Sequence, residues 1–235
     1  MKKIYINMIK LPTFINHYVY CLTGFEYTHF TLSLCKNSKN SYSFQRRNKN
    51  LPLVGGPLCE SEVFYFNGKK NKNVKIIEYE VPVTDDEYRR ICGFVDKIFN
   101  DKEYMFSFIS VWLTFPFGGI KSYKSYQCTE FICEILSLID NISLPKESHK
   151  MRPLDLYKVL KEYNYKEKTI HSNNYVIQND NMFFKKIKFS VALRKSIYSI
   201  KESFYRTFFY KASKRFDFRK INFYAKDIKK DFKKK

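Results

Sequence analysis

Long apolar runs are missing from this chain: none approaches the roughly 18 residues that span a bilayer as a helix. The first ten residues carry two early lysines but break their apolar run at Asn7 and Lys10, so they read as a first strand rather than a signal peptide. Glycine is scarce, at seven in 235 residues, and no segment repeats, which excludes repeat architectures. The six cysteines, at 21, 35, 59, 92, 128 and 133, form no Cys-x-x-Cys pair and no Cys/His spacing of a zinc site. They read as reduced thiols of a cytosolic protein, and no metal or organic cofactor is implied.

Acidic residues are also few. The chain has 43 Lys/Arg against 23 Asp/Glu, a net charge of +20. Residues 181–235 hold 18 Lys/Arg against 4 Asp/Glu, net +14, which leaves +6 for the first 180 residues. Hydrophobic residues make up 44%, enough to argue against global disorder. The expected organisation is a body at 1–177 and a basic amphipathic extension at 178–235.

Along the body, residues 3–9 read as a strand, and Pro12-Thr13 opens a short helix from Phe14 to Leu22 that Gly24 ends. Phe30, Leu32 and Leu34 alternate with His29, Thr31 and Ser33, a period-two strand that puts His29 opposite the large apolar side chains. A turn at 36–40 and a strand at 41–45 complete a hairpin. Gly55-Gly56-Pro57 reads as a loop, and 62–66 and 74–83 as strands around a turn at 67–71. Thr84 caps an acidic first turn, Asp85-Asp86-Glu87, of a helix to about Phe99. The aromatic segment 104–115 reads as a buried helix, broken by Pro116 and Gly118-Gly119. Pro153 opens another helix to about Tyr163. The body is therefore expected to be α+β, a mostly antiparallel sheet packed with helices.

Ser125-Tyr-Gln-Cys-Thr-Glu-Phe-Ile-Cys-Glu-Ile-Leu136 carries the strongest chemical signal. Phe131, Ile132, Ile135, Leu136 and Ile139 mark one helix face. Ser125 or Gln127 is placed to cap the start, and Glu130 suits the first turn. Cys128 then sits at a helix N-terminus, among unpaired backbone N–H groups that favour a thiolate. Cys133, five residues on, falls on another face and reads as core. A thiol hydrolase also needs an imidazole, a group to orient it and oxyanion donors. His29 is the best placed of the four histidines: His17 lies within a helix, and His149 and His171 lie in polar, loop-like surroundings. The neighbouring strand offers Ser41, Ser43 and Gln45 as the orienting group, with Ser43 first. The backbone N–H of Cys128 serves as an oxyanion donor.

These segments, in this order, resemble the permuted papain-like amidases, relatives of the NlpC-type cell-wall hydrolases in which the histidine strand precedes the cysteine helix. The resemblance rests on Thr-Gly-x-x-Tyr-Thr-His-Phe-Thr-Leu-Ser-Leu at 23–34, Tyr-Ser-Phe-Gln-Arg at 42–46 and Gly-Gly-Pro-x-x-Glu at 55–60. It continues with Tyr-Gln-Cys-Thr-Glu-Phe-Ile from Tyr126 and Arg-Pro-x-Asp-Leu at 152–156, and covers roughly residues 1–165. It implies a papain-like, circularly permuted fold, with Cys128 as nucleophile and His29 as base. Several family members use a carboxylate as the third group, whereas this strand offers Tyr42-Ser43-Phe44. Either Ser43 orients the ring by a neutral hydrogen bond, or Glu60 or Glu62 reaches in, or the site has drifted.

The expected function is a thiol hydrolase or acyltransferase acting on an amide or ester in a peptide, cell-wall fragment or lipid. The rival is an adaptor on the same fold whose basic tail is the working part. In that tail Phe189, Leu193, Ile197, Ile200, Phe204 and Phe208 form a continuous helical stripe. The stripe either packs on the body or lies on an anionic membrane surface, making the protein peripheral there. Charge and aromatics also permit nucleic acid, but no recognised motif supports it.

Overall fold

A computed structural model describes residues 2–36, 40–51, 53–66, 73–111, 118–172, 175 and 183–209. The turn expected at 67–71 and the closing lysines from Lys229 lie outside the described residues. Six strands form one antiparallel sheet in the order β4-β3-β2-β1-β5-β8. They are β1 (Lys2–Ile9), β2 (His29–Ser33), β3 (Asn40–Arg46), β4 (Gly55–Ser61), β5 (Asn73–Val83) and β8 (Asn164–His171). Two short strands, β6 (Met105–Phe106) and β7 (Ser125–Tyr126), pair in parallel apart from it. The α+β, antiparallel expectation is met.

Period-two alternation divides the sheet into two faces. Ile4, Ile6 and Met8 of β1, with Phe30, Leu32 and Phe44, are fully buried on one of them. Against this face lie helices α2 (Asp85–Asn100), α3 (Cys128–Leu136) and α4 (Pro153–Leu160). Phe131 of α3 meets Phe44 with ring centroids 5.2 Å apart. Each such fully buried side chain contributes about 1.5–3 kcal/mol relative to exposure. The N-terminus of α2 is fixed by a capping box: the Glu87 N–H donates to Thr84 Oγ1, and Glu87 accepts from the Thr84 N–H. The first helix, α1 (Phe14–Thr23), ends at Gly24 with φ +68°, a left-handed value that glycine tolerates.

Four local readings are corrected. Gly55-Gly56-Pro57 is the start of β4, not a loop. Proline is tolerated there because β4 is the sheet's edge strand. A Cβ on Gly55 would stand 2.6 Å from Phe106 Cβ, so the glycine permits a close approach. Residues Glu62–Phe66 form a 3-10 turn rather than a strand, with Tyr65 and Phe66 buried against the sheet's second face. The segment from 104 opens as β6 before a helical turn at 108–111; its remainder, 112–115, lies outside the described residues. The helix from Pro153 stops at Leu160, and β8 follows it onto the edge of β5.

The described part of the extension is attached to the body. Phe183 stacks on Phe64 with centroids 4.6 Å apart, and the Lys49 N–H donates to the Phe183 carbonyl at 2.9 Å. Helix α5 (Phe189–Phe208) follows. It is docked by polar groups: Arg206 Nη1 donates to the carbonyls of Glu103 at 2.6 Å and Lys124 at 3.2 Å. Its apolar stripe faces away from the body, which corrects the reading of an ordinary packed amphipathic helix. Among the described residues, no helix is long and apolar enough to cross a membrane.

Candidate active site

The site forms where the first turn of α3 meets the beginning of β2. The approach to α3 is held tightly. Lys124 adopts φ 44°, unusual for a residue with a Cβ, and its ammonium bonds Asp101 at 2.7 Å and Glu103 at 2.6 Å. Burial opposes that charge, but the two carboxylates override it and raise the Lys124 pKa. β7 then pairs with β6, and the Ser107 N–H donates to the Tyr126 carbonyl at 3.0 Å. Gln127 is the N-cap, in extended conformation, and its carbonyl accepts from the Phe131 N–H. Cys128 is therefore the first residue of the helix, as the sequence suggests. Because Phe131, Ile132, Ile135 and Leu136 are anchored in the core, the half-buried thiol is presented at the helix end.

Cys128 Sγ lies 3.7 Å from the carbonyl oxygen of Thr28, the residue just before His29. His29 points to the polar side of the sheet and is buried, as are Thr31 and Ser33 beside it. Its Nε2 lies 3.0 Å from both carboxylate oxygens of Glu60. Burial alone would lower the His29 pKa. The Glu60 charge, a side-chain hydrogen bond with Cys128 and the hydrogen bond to Glu60 together raise it, to about 10. Burial raises the pKa of Glu60, and the charge and hydrogen bond of His29 moderate that rise. With Nε2–H directed at the acceptor-only carboxylate, Nδ1 is the ring nitrogen that Glu60 leaves free.

Glu60, rather than Ser43, is the group in contact with the His29 ring. Ser43 stands opposite Leu58 in the β3–β4 register, whereas Ser41 stands opposite Glu60. Ser43 Oγ is fully buried and finds no hydrogen-bond partner among the described residues, and the same holds for Gln45 Nε2. Glu62 is engaged elsewhere, accepting from Lys168 Nζ at 2.9 Å and from the Tyr175 hydroxyl. The other histidines are remote in their contacts. His17 faces Cys21, His149 pairs with Glu147 at 3.3 Å, and His171, the last residue of β8 rather than a loop residue, faces Asn73. Cys133 is buried in the core, and burial holds its thiol pKa well up.

Two further residues belong to the surroundings. Tyr65 meets the His29 ring edge-on with centroids 6.3 Å apart, and its hydroxyl is 3.2 Å from Ser41 Oγ. Burial, then the Glu60 charge, push its pKa well above the ordinary value, so it stays a neutral wall. Glu130, in the first turn of α3, is 1% exposed, and its Oε2 has no hydrogen-bond partner among the described residues. Burial pushes its pKa up to about 8, against the hydrogen bond from the Gln127 backbone. Tyr65 was hidden because its segment reads as a strand. Glu130 reads from sequence only as a first-turn carboxylate suited to the helix dipole.

Comparison with protein-family models, with curated proteins and with solved structures finds no match for this chain.

Proposed function

We propose that the protein is a thiol hydrolase or acyltransferase of the permuted papain-like type, acting on an amide or ester through an acyl-enzyme on Cys128. The observation that carries this reading is a cysteine at a helix N-terminus beside a buried histidine whose far nitrogen is held by a buried glutamate. A histidine that merely packed in the core would need no carboxylate on one side and no thiol on the other. The Cys-His-carboxylate order of contacts is that of a nucleophile, a base and an orienting group.

In the proposed cycle the Cys128 sulfur gives its proton to His29 and attacks the substrate carbonyl carbon. Negative charge moves to the carbonyl oxygen, where the Cys128 N–H, free of an intrahelical acceptor at the first helical position, serves as a donor. The intermediate collapses by breaking the bond to the amine or alcohol, which takes the proton from His29. Water, or a second acceptor in a transferase, then loses its proton to His29 and attacks the thioester, which releases the acyl group and restores the thiol. Glu60 stays ionised throughout and stabilises the imidazolium. Its carboxylate removes the weakness that a neutral Ser43 would have left in this reading.

The direct experiment is acyl-enzyme trapping. The intact protein is incubated with a p-nitrophenyl ester series of short and long acyl chains, and mass spectrometry follows the protein. A single acyl adduct that maps to Cys128, with release of nitrophenol, is the expected result, and Cys128→Ala abolishes both. No adduct at Cys128 with any chain length would favour the rival, a non-catalytic adaptor.

A further inference from the structure

Helix α5 is amphipathic in the reverse of the usual sense. Its body-facing side is polar: Ser199, Ser203, Arg206 and Thr207 are buried. The Ser122 and Thr207 hydroxyls lie 2.8 Å apart, and the Tyr123 N–H donates to the Arg206 carbonyl. The opposite side carries Phe189, Leu193, Ile197, Ile200, Phe204 and Phe208, all between 46% and 81% exposed. These six are most of the exposed large hydrophobic residues among those described. Phe204 and Phe208 pair with centroids 4.5 Å apart, so the stripe is one continuous surface. A scattered exposed leucine needs no explanation, but a helix-long apolar row does.

The charges beside the row say what it meets. Arg194 and Lys201 directly follow Leu193 and Ile200 and are exposed on the flank of the stripe; Lys186 and Lys188 are exposed just before the helix. From 181 onward the chain carries net +14. An apolar row of Phe, Leu and Ile bordered by Lys and Arg is the composition of a helix lying in the plane of a bilayer interface. The basic flank and extension select an anionic leaflet. A protein partner would need an acidic rim around an apolar groove. Nucleic acid would use the charge and leave the aliphatic row unexplained.

We propose that α5 is an interfacial membrane-docking helix. It holds the body against an anionic bilayer by inserting the Phe189–Phe208 stripe, while Arg206 and Thr207 keep the helix fixed to the body. This inference stands apart from the thiol chemistry, since it uses no residue of the Cys128 site.

The test is flotation of the full chain with phosphatidylcholine vesicles, with and without phosphatidylglycerol. Two full-length variants are compared. The first is L193S/I197S/I200S/F204S, which strips the stripe at exposed positions. The second is R194E/K201E, which keeps the stripe and inverts its flank. Circular dichroism checks that each retains its fold. The expected result is binding only to the phosphatidylglycerol vesicles, weakened by about tenfold or more in each variant, with the serine variant failing even at low salt. Three results overturn the proposal. In the first, the intact protein does not float with phosphatidylglycerol vesicles, including the case where it binds an oligonucleotide instead. In the second, the serine variant binds as the intact protein does, which assigns binding to charge alone. In the third, the intact protein is a dimer that the serine variant makes monomeric, which assigns the stripe to a second copy of the chain.

Discussion

Replacing Glu60 by glutamine keeps the shape of the His29 partner and removes its charge, so it isolates what holds the imidazolium. With charge centres about 5 Å apart and an effective dielectric of about 20, the lost attraction is ~3 kcal/mol. Loss of the charge-assisted hydrogen bond, both oxygens now lying 3.0 Å from Nε2, removes ~2 kcal/mol more. Together these amount to between three and four powers of ten in proton affinity, at ~1.4 kcal/mol for each. Burial, which lowers the His29 pKa, then acts against little, and the value falls from about 10 to about the ordinary 6.5 or below. The assay is NMR of ring-labelled histidine between acid and alkaline pH, with His29→Gln to assign the signal. In the native protein the His29 resonances stay flat through the neutral range and move in the alkaline range, whereas in Glu60→Gln they move near or below neutrality. The stability consequence has a definite sign. A histidine whose folded pKa is raised stabilises the fold fully below 6.5, and that contribution is lost as pH rises through about 10. The native protein therefore loses up to ~1.4 kcal/mol per pH unit across that window from this proton, and the glutamine variant does not. A native His29 that titrates at its ordinary value, or an unchanged titration in Glu60→Gln, refutes the reasoning.

Further expectations test neighbouring parts. Ser43→Ala should leave ester hydrolysis and unfolding free energy within ~0.5 kcal/mol of native, because its hydroxyl makes no hydrogen bond among the described residues. A large loss of activity there would restore Ser43 as the orienting group. Glu130→Gln should raise the melting temperature at pH 9 and change it little at pH 5. The raised carboxyl stabilises below 4.5, and this is lost as pH climbs through about 8; equal shifts at both pH values would contradict this. Arg206→Ala removes the guanidinium donor from the Glu103 carbonyl and one of the two donors of the Lys124 carbonyl, which keeps the Met105 N–H, and should cost ~3 kcal/mol in urea unfolding, with faster proteolysis near α5. Gly119→Ala forces a Cβ into the His149 carbonyl at φ +84° and should destabilise by ~2 kcal/mol or more on thermal unfolding.

Much of the fold was legible because its signals are local. The His29 strand, the capped helix at 85–100 and the Cys128 helix follow from alternation, capping and three-four spacing within single segments. What was not legible depends on partners distant in sequence. Gly55-Gly56-Pro57 carries every mark of a loop, yet edge position and the close approach to Phe106 make it a strand. That one reversal conceals the carboxylate that contacts His29. Only once β4 is a strand does Glu60 fall opposite Ser41 and reach the His29 ring. Ser43 looked suitable because strand parity puts it on the polar face, but parity does not give the distance along the strand. Stripe periodicity likewise finds α5 but not which way it faces. That is set by Arg206 and Thr207, whose carbonyl and hydroxyl partners at Glu103, Ser122 and Lys124 lie 82 to 103 residues upstream.

The most direct test of the site is the alkylation rate of each cysteine with iodoacetamide at neutral pH, resolved by peptide mass spectrometry in the native protein and in His29→Gln. Half-buried Cys128 is expected to react faster than the exposed Cys21, Cys35 and Cys59, and the excess to vanish in His29→Gln while the other rates hold. Cys128 labelling no faster than those exposed thiols, or labelling that ignores the loss of His29, would contradict the proposed site.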